Sequence, residues 1–274
     1  MHTAKSADST QLAYWREGAG PPLLLVHGGA CDHMAWYYVA PLLARMFTVY
    51  TYDRRGRGES GDTPPYAVQR EVEDVAAMLK QIGEPAHLLG HSAGGILALL
   101  AAERTPDLLS LILYEPAFVI EGSRERPGPD VLKKMQVLLA AGDRDEVVRI
   151  AMRETLGVPE DEIAAMGAGP GWEHLRAAAH TIPYDWELWG VRFDAERAAT
   201  VRTRALLMMG SESPAWLQIG TKAVLAALPC ARLEVLQGQE HVATVTAPEM
   251  FASVVADFAL EPDSRASTAP SFGH

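Results

Sequence analysis

Along the first 116 residues, short continuous apolar runs trade places with longer amphipathic stretches. The run Leu23 to Val26 contains no polar position, as expected of a strand covered on both faces, and it ends in His27-Gly28-Gly29. Phe47 to Tyr52 (FTVYTY) is β-branched and aromatic and leads into Asp53-Arg54-Arg55-Gly56-Arg57-Gly58-Glu59-Ser60. From Val68 to Ile82 apolar residues fall at 72, 75, 76, 79 and 82, one face of a helix that Gly83 closes. His87 to Leu89 is a further apolar run, and Leu108 to Tyr114 (LLSLILY) another, stopped by Glu115-Pro116. A weak alternation at 10–17 before Gly18-Ala19-Gly20-Pro21-Pro22 predicts an edge strand and turn, and Met34 to Met46 has helical spacing.

Beyond Glu115 this alternation stops. Only helical patterns follow, at Asp130 to Ala141, Arg144 to Leu156, Pro159 to Met166 and Trp172 to Ala179. Strand, helix, strand and helix resume at Arg204 to Met209, Thr221 to Leu228, Arg232 to Leu236 and Glu249 to Phe258. The pattern predicts an α/β fold, a mostly parallel sheet with helices on both faces. Residues 1–116 and 201–260 would form its core domain, interrupted by a helical cap at 117–200. The small, polar stretch 261–274 is expected to be a disordered tail.

At 274 residues and 48% apolar composition, the chain suits one large domain with an insertion. Its net charge of −11 argues against nucleic acid or an anionic membrane as partner, since either would repel it. The two cysteines, Cys31 and Cys230, have neither disulfide-framework nor zinc-ligand spacing. Residues 1–15 lack the apolar core of a signal peptide, and no run approaches the roughly 20 apolar residues of a membrane span, so a cytoplasmic setting is expected. Nothing in the composition decides whether the chain forms a homodimer.

Chemistry concentrates at Gly90-His91-Ser92-Ala93-Gly94-Gly95, between an apolar run and a small-residue helix pattern. G-x-S-x-G in that setting is a nucleophile elbow: glycines let strand and helix close around a strained serine at a helix N-terminus. A serine needs a base, and the base needs an acid to hold it. Among nine histidines, His241 follows the last predicted strand in Gly238-Gln239-Glu240-His241, the place that the order nucleophile, acid, histidine requires. His27 and His91, beside glycines, read as structural, while His33, His174 and His180 are candidates for the pocket. The arginines at 54, 55 and 57 lack the Lys-Ser/Thr ending of a phosphate loop and read as a solvated or internally paired loop. Glu115 stands at the carboxyl end of a parallel strand, where ligands bind in open α/β sheets.

Taken together, HGG at 27–29, DRRGRGES at 53–60, GHSAGG at 90–95 and QEH at 239–241 resemble the α/β-hydrolase superfamily over residues 10–260. The resemblance implies an eight-stranded sheet, Ser92 as nucleophile, His241 as base, the backbone N–H groups of Gly29 and Ala93 as oxyanion hole, and no cofactor or metal. It also implies an aspartate in a G-x-x-D arrangement after the strand at 204–209. Here Gly210-Ser211-Glu212-Ser213 puts a serine in that slot and Glu212 one residue out of register. The zearalenone lactonase branch carries its acid one strand earlier, which by resemblance selects Glu115 with Glu212 as second choice. That branch also resembles the chain at Thr181-Ile182-Pro183. The competing reading of Glu115 is a rim carboxylate or an ion pair with an arginine.

The cap is rich in Trp, Tyr and Met, although most such residues pack a core rather than touch a ligand. Trp36, Trp172, His180, Tyr184 and Trp186 are the expected substrate contacts, with Trp189, Met135, Met152 and Met166 in the same region. The expected activity is serine hydrolysis of an ester or lactone of a hydrophobic small molecule. Its rivals are a C–C hydrolase, a non-hydrolytic cyclase or lyase, and a non-catalytic ligand-binding protein on the same fold. By the same resemblance, dehalogenase and epoxide hydrolase chemistry is disfavoured, since each requires an aspartate where Ser92 stands.

Overall fold

The apolar runs become the central strands of one sheet in a computed structural model that describes residues 1–126, 128–169 and 171–262. Its strands are β1 (His2–Lys5), β2 (Gln11–Gly18), β3 (Pro22–Val26), β4 (Thr48–Tyr52), β5 (His87–His91), β6 (Ser110–Tyr114), β7 (Ala205–Gly210) and β8 (Ala231–Leu236). They lie in the order β1-β2-β4-β3-β5-β6-β7-β8. The pairs β1/β2 and β2/β4 are antiparallel and the rest parallel. The chain runs outward from β3 to β4 and then returns to β5 on the other side of β3. That reversal opens a crevice at the carboxyl ends of β3 and β5.

Side chains alternate across this sheet. Leu24 and Val26 of β3 face the layer containing the helices Val68–Ile82, Ala93–Ala102 and Ala215–Ala227. Leu23 and Leu25 face the layer of Trp36, Leu43 and the helix Pro248–Leu260. Between β6 and β7 lies the cap: helices Pro129–Ala140, Arg144–Ile150, Glu160–Gly167, Trp172–Ala178 and Ile182–Trp189, with one π-helical turn at Ala151–Leu156. It has an apolar core of its own, including Met135, Val147, Ile163 and Trp172. Among the described residues no helix is long and apolar enough to cross a membrane.

Several boundaries differ from the sequence reading. β2 is interior, because β1 pairs outside it; only Ala4 of β1 is buried, too little apolar pattern to announce a strand. Met34 to Met46 is a 3₁₀ turn at His33–Trp36, capped by the Asp32 side chain, followed by a single helical turn at Ala40–Leu43. The helix expected from Thr221 starts at Ala215, after Pro214. Ile182–Trp189 is a helix with Pro183 in its first turn, where a missing N–H costs nothing. Glu261, expected in the tail, pairs with Arg232 at 2.6 and 2.8 Å, and the rest of the tail from 263 lies outside the described residues.

The arginine loop is buried and internally paired. Arg54 meets Glu71 through two bonds of 2.7 and 2.8 Å, and Arg55 meets Asp74 through two of 2.7 Å. Arg57 donates to Asp185 of the cap helix Ile182–Trp189 at 2.8 Å, and Arg54 donates to the same oxygen at 3.1 Å. Two cations and two anions therefore close a buried set that spans core and cap.

Burial alone would raise the Glu71 carboxyl, but Arg54 and Arg57 beside it prevail and hold it at about 2. Burial, reinforced by Arg54 and Arg57, keeps His27 well below 6.5. Burial, with His241 adding to it, does the same for His91, and burial with Arg204 lowers His87 to about 4. The unfolded chain takes up protons on these histidines that the folded protein refuses, so their contribution is intact above 6.5 and declines as pH falls below it. Glu71 adds a further loss between 4.5 and about 2. Urea midpoints measured across pH are thus expected to fall already between pH 7 and pH 5, before ordinary carboxylates titrate. A flat midpoint over that interval would contradict three neutral buried histidines.

Candidate active site

β5 and β6 end alike. Ser92, after β5, has φ +55°, and Glu115, after β6, has φ +44°, both left-handed without being glycine. The two bends are tied together: Ser92 N–H donates to Tyr114 O at 3.0 Å, and Ala117 N–H donates to Ser92 O at 3.2 Å. Glycine makes the first bend feasible. A Cβ on Gly94 would sit closer than 3.0 Å to the carbonyl oxygens of Val26 and His27, and one on Gly90 closer than 3.0 Å to Gly94 O. The helix Ala93–Ala102 therefore lies directly on β3 and β5, with Ser92 at its N-terminus.

His241 follows β8, and its Nδ1–H donates to Glu115 Oε2 at 2.6 Å. The other oxygen, Oε1, accepts Gly210 N–H at 2.8 Å, so both oxygens of this fully buried carboxylate are engaged. With its proton on Nδ1, the ring keeps Nε2 as an acceptor. Neighbours of the serine and the acid hold the histidine loop by its backbone. His91 Nε2–H donates to His241 O at 2.9 Å, and its ring stacks on Tyr114 at 4.9 Å. The Tyr114 hydroxyl donates to Glu240 O and accepts Ala243 N–H at 3.2 Å.

Ser92 and His241 line one cavity of about 210 Å³, bounded by Gly29 and Ala93 on the core side and by Met152, Ile182, Trp186 and Trp189 on the cap side. No direct hydrogen bond joins Ser92 to His241 in this conformation. The cavity's wall departs from the expected substrate contacts. Trp186 is on it. Trp36 is instead packed beneath, edge-on to His91 and against Phe251. Trp172 sits in the cap core, its indole N–H on Asp145 at 2.6 Å and Arg149 over its ring. Tyr184 stacks on Tyr66 at 4.1 Å and donates to Asp62 at 2.6 Å. His180 lines, with His174, an adjoining cavity of about 510 Å³ that shares Ala30, Cys31 and Leu175 with the first, while His33 stacks on Trp15 and bonds Asp53. Large aromatic bodies gain most from full burial, which removes Trp36 and Trp172 from the ligand's reach.

Glu212 is exposed and accepts the Ser211 hydroxyl at 3.0 Å, away from His241. Ser213 is buried, its hydroxyl without a partner among the described residues. Among the described residues one group, Asp32, His33 and Asp53, brings metal-ligand atoms within 4.8 Å of one another. Asp53 already accepts the backbone and ring N–H of His33 and the N–H of Glu59, so its oxygens are committed to protein donors. Trp189 and Met152, named in the sequence only as cap residues that could enclose a substrate, are on the wall, whereas Asp185 was not singled out. The i, i+3 spacing of Trp186 and Trp189 would have exposed Trp189 had Ile182–Trp189 been read as a helix.

An open, mostly parallel sheet with a strained serine after β5 and a histidine after β8 defines an α/β protein of the hydrolase class. Residues 23–254 match the alpha/beta hydrolase family, and the chain belongs to that family. An alpha/beta hydrolase from Sphaerobacter thermophilus is 40% identical and superposes with a TM-score of 0.87, covering 94% of this chain and 99% of that one. An uncharacterized hydrolase, YraK, from Bacillus subtilis is 30% identical over 147 residues, 51% of this chain and 53% of that protein. A pimeloyl-[acyl-carrier protein] methyl ester esterase from Aeromonas hydrophila is 33% identical over 147 residues, 52% of this chain and 57% of that protein. The chain thus spans little more than half the length of these curated relatives.

The close approach at the elbow sets an expectation for stability. Gly94→Ala should cost about 3 kcal/mol or more, since its new methyl meets backbone that cannot yield. Gly171→Ala, whose Cβ meets nothing within 4 Å, should change the urea midpoint little. Equal midpoints for the two variants would contradict the packing described.

Proposed function

We propose that this protein is a serine hydrolase that cleaves small, neutral carboxylic esters or lactones through an acyl-enzyme. The observation that carries this reading is the 2.6 Å bond from His241 to Glu115, with His241 and the strained Ser92 on one cavity wall. His241 Nε2 takes the Ser92 proton as Oγ attacks the substrate carbonyl. Glu115 stabilises the resulting imidazolium, and the N–H groups of Ala93 and Gly29 receive the oxyanion. The tetrahedral adduct collapses as His241 returns its proton to the leaving alkoxide. Water, activated by His241, then releases the acid and frees Ser92.

The cavity narrows the substrate. At about 210 Å³ it is smaller than the roughly 300–1,000 Å³ of ordinary ligand pockets. Its cap side is built of Met152, Ile182, Trp186 and Trp189, and the acidic side chain on its wall, Asp185, is committed to Arg54 and Arg57. A short acyl group fits such walls, and a charged one would be buried without a partner. The esterase named among the relatives supports ester chemistry for this chain.

Two measurements test the proposal. Wild type should label with a fluorophosphonate at Ser92 and turn over p-nitrophenyl acetate faster than p-nitrophenyl decanoate. A folded wild type that neither labels nor turns over would sink the hydrolase reading in favour of ligand binding. Glu115→Gln should lower kcat by about 10⁴-fold, the loss seen when a triad's acid is replaced by its amide, while Glu212→Gln should leave it near wild type. The reverse ranking would move the acid to Glu212.

A further inference from the structure

The direction of a backbone N–H is fixed by whatever holds the carbonyl of the same peptide, because the two point opposite ways across a trans bond. The Gly29 N–H shares its peptide with Gly28 O. That oxygen accepts two bonds, from His27 Nδ1–H at 2.9 Å and from Arg54 Nη1–H at 2.9 Å. His27 is itself oriented, since its Nε2 accepts Arg54 N–H at 3.1 Å. The next peptide is held from the cap: Ala30, with φ +48°, donates its N–H to Asp185 Oδ2 at 2.9 Å. Asp185 also packs on Gly29, where a Cβ would lie 3.0 Å from the carboxyl. Its other oxygen accepts Arg54 and Arg57.

Asp185 thus grips both peptides flanking Gly29, one directly and one through Arg54. We infer that Asp185 is a positioning residue for the oxyanion hole, so that the Gly29 N–H is aimed at the reacting carbonyl only while the cap helix Ile182–Trp189 is docked. This inference rests on the serine hydrolase reading above. A cap carboxylate here links substrate enclosure to catalytic competence: the wall that carries Trp186 and Trp189 also carries the group that sets the hole.

Both oxygens of Asp185 are acceptors, which makes asparagine an informative replacement. Asp185→Asn keeps the volume but can offer only one acceptor. The guanidinium groups will claim it, turning the amide NH₂ toward Ala30 N–H. With p-nitrophenyl acetate, kcat is expected to fall by about 10- to 100-fold, less than the 10²–10³ that losing an oxyanion donor outright costs. KM should change less than about threefold, because the apolar walls remain. Asp62→Ala is the comparison: it frees the Tyr184 hydroxyl on the same cap helix without touching Ala30, and should leave kcat within about twofold of wild type. Amide exchange at Ala30 provides a readout independent of turnover, protected in wild type and Asp62→Ala and fast in Asp185→Asn.

A cap tether alone would make both variants alike, raising KM and sparing kcat, and that result would overturn the inference. So would unprotected Ala30 in wild type. A wild type inactive on every ester defeats the hydrolase reading instead; the exchange comparison then decides whether Asp185 positions this loop, equal Ala30 rates in all three proteins overturning it.

Discussion

The helix Ala93–Ala102 lies so close to β3 and β5 that its second residue, Gly94, has room for no side chain against the carbonyls of Val26 and His27. That closeness leaves one residue, Ser92, to turn the chain from strand to helix, and only a left-handed backbone makes the turn in so short a span. The strain is held by hydrogen bonds to the neighbouring bend at Glu115 rather than relaxed. Two strained residues on adjacent strands then present a hydroxyl and a carboxylate at the same edge of the sheet. The histidine is brought to them on the loop that follows the last strand.

Several buried polar groups at this edge fix one another. Glu115 holds the His241 ring, while Tyr114 and His91, the residues just before the two bends, hold that histidine's backbone. Sequence neighbours of the serine and the acid thus fix where the histidine can stand. On the opposite side of the serine, the arginine loop performs the corresponding task for the glycine loop. Neutral buried histidines, His27 and His91, fit this role because an uncharged ring can donate and accept without the cost of burying a charge.

Much of this could be read in the sequence. The continuous run Leu23 to Val26 and the stop at Glu115-Pro116 located the parallel strands, and the serine and histidine declared themselves by their places after strands β5 and β8. Placing Glu115 beside His241 took the family resemblance, which supplied both the aspartate slot that Ser213 leaves empty and a branch with its acid one strand earlier. The cap was less legible. Trp172 and Trp186 look equivalent in sequence, yet one packs its own helices and the other faces the cavity, a distinction made by tertiary packing alone. Pro183 disguised a helix start, and with that helix unseen nothing marked Asp185 out. The short β1 carried a single buried side chain, below what a two-residue period can signal.

Asp185 also bears on how freely such a cap can be exchanged between proteins of similar core. The cap looks modular, entering after one strand and leaving before the next, with an apolar centre of its own. Its carboxylate nevertheless completes a four-charge set whose other three members, Arg54, Arg57 and Glu71, belong to the core. A foreign cap without an anion at this place would leave two buried guanidinium groups sharing one carboxylate, a vacancy far more costly than a mismatched apolar contact. Recombination at this joint is therefore filtered by charge before shape, and caps can diversify their ligand-facing residues widely so long as that one acid travels with them.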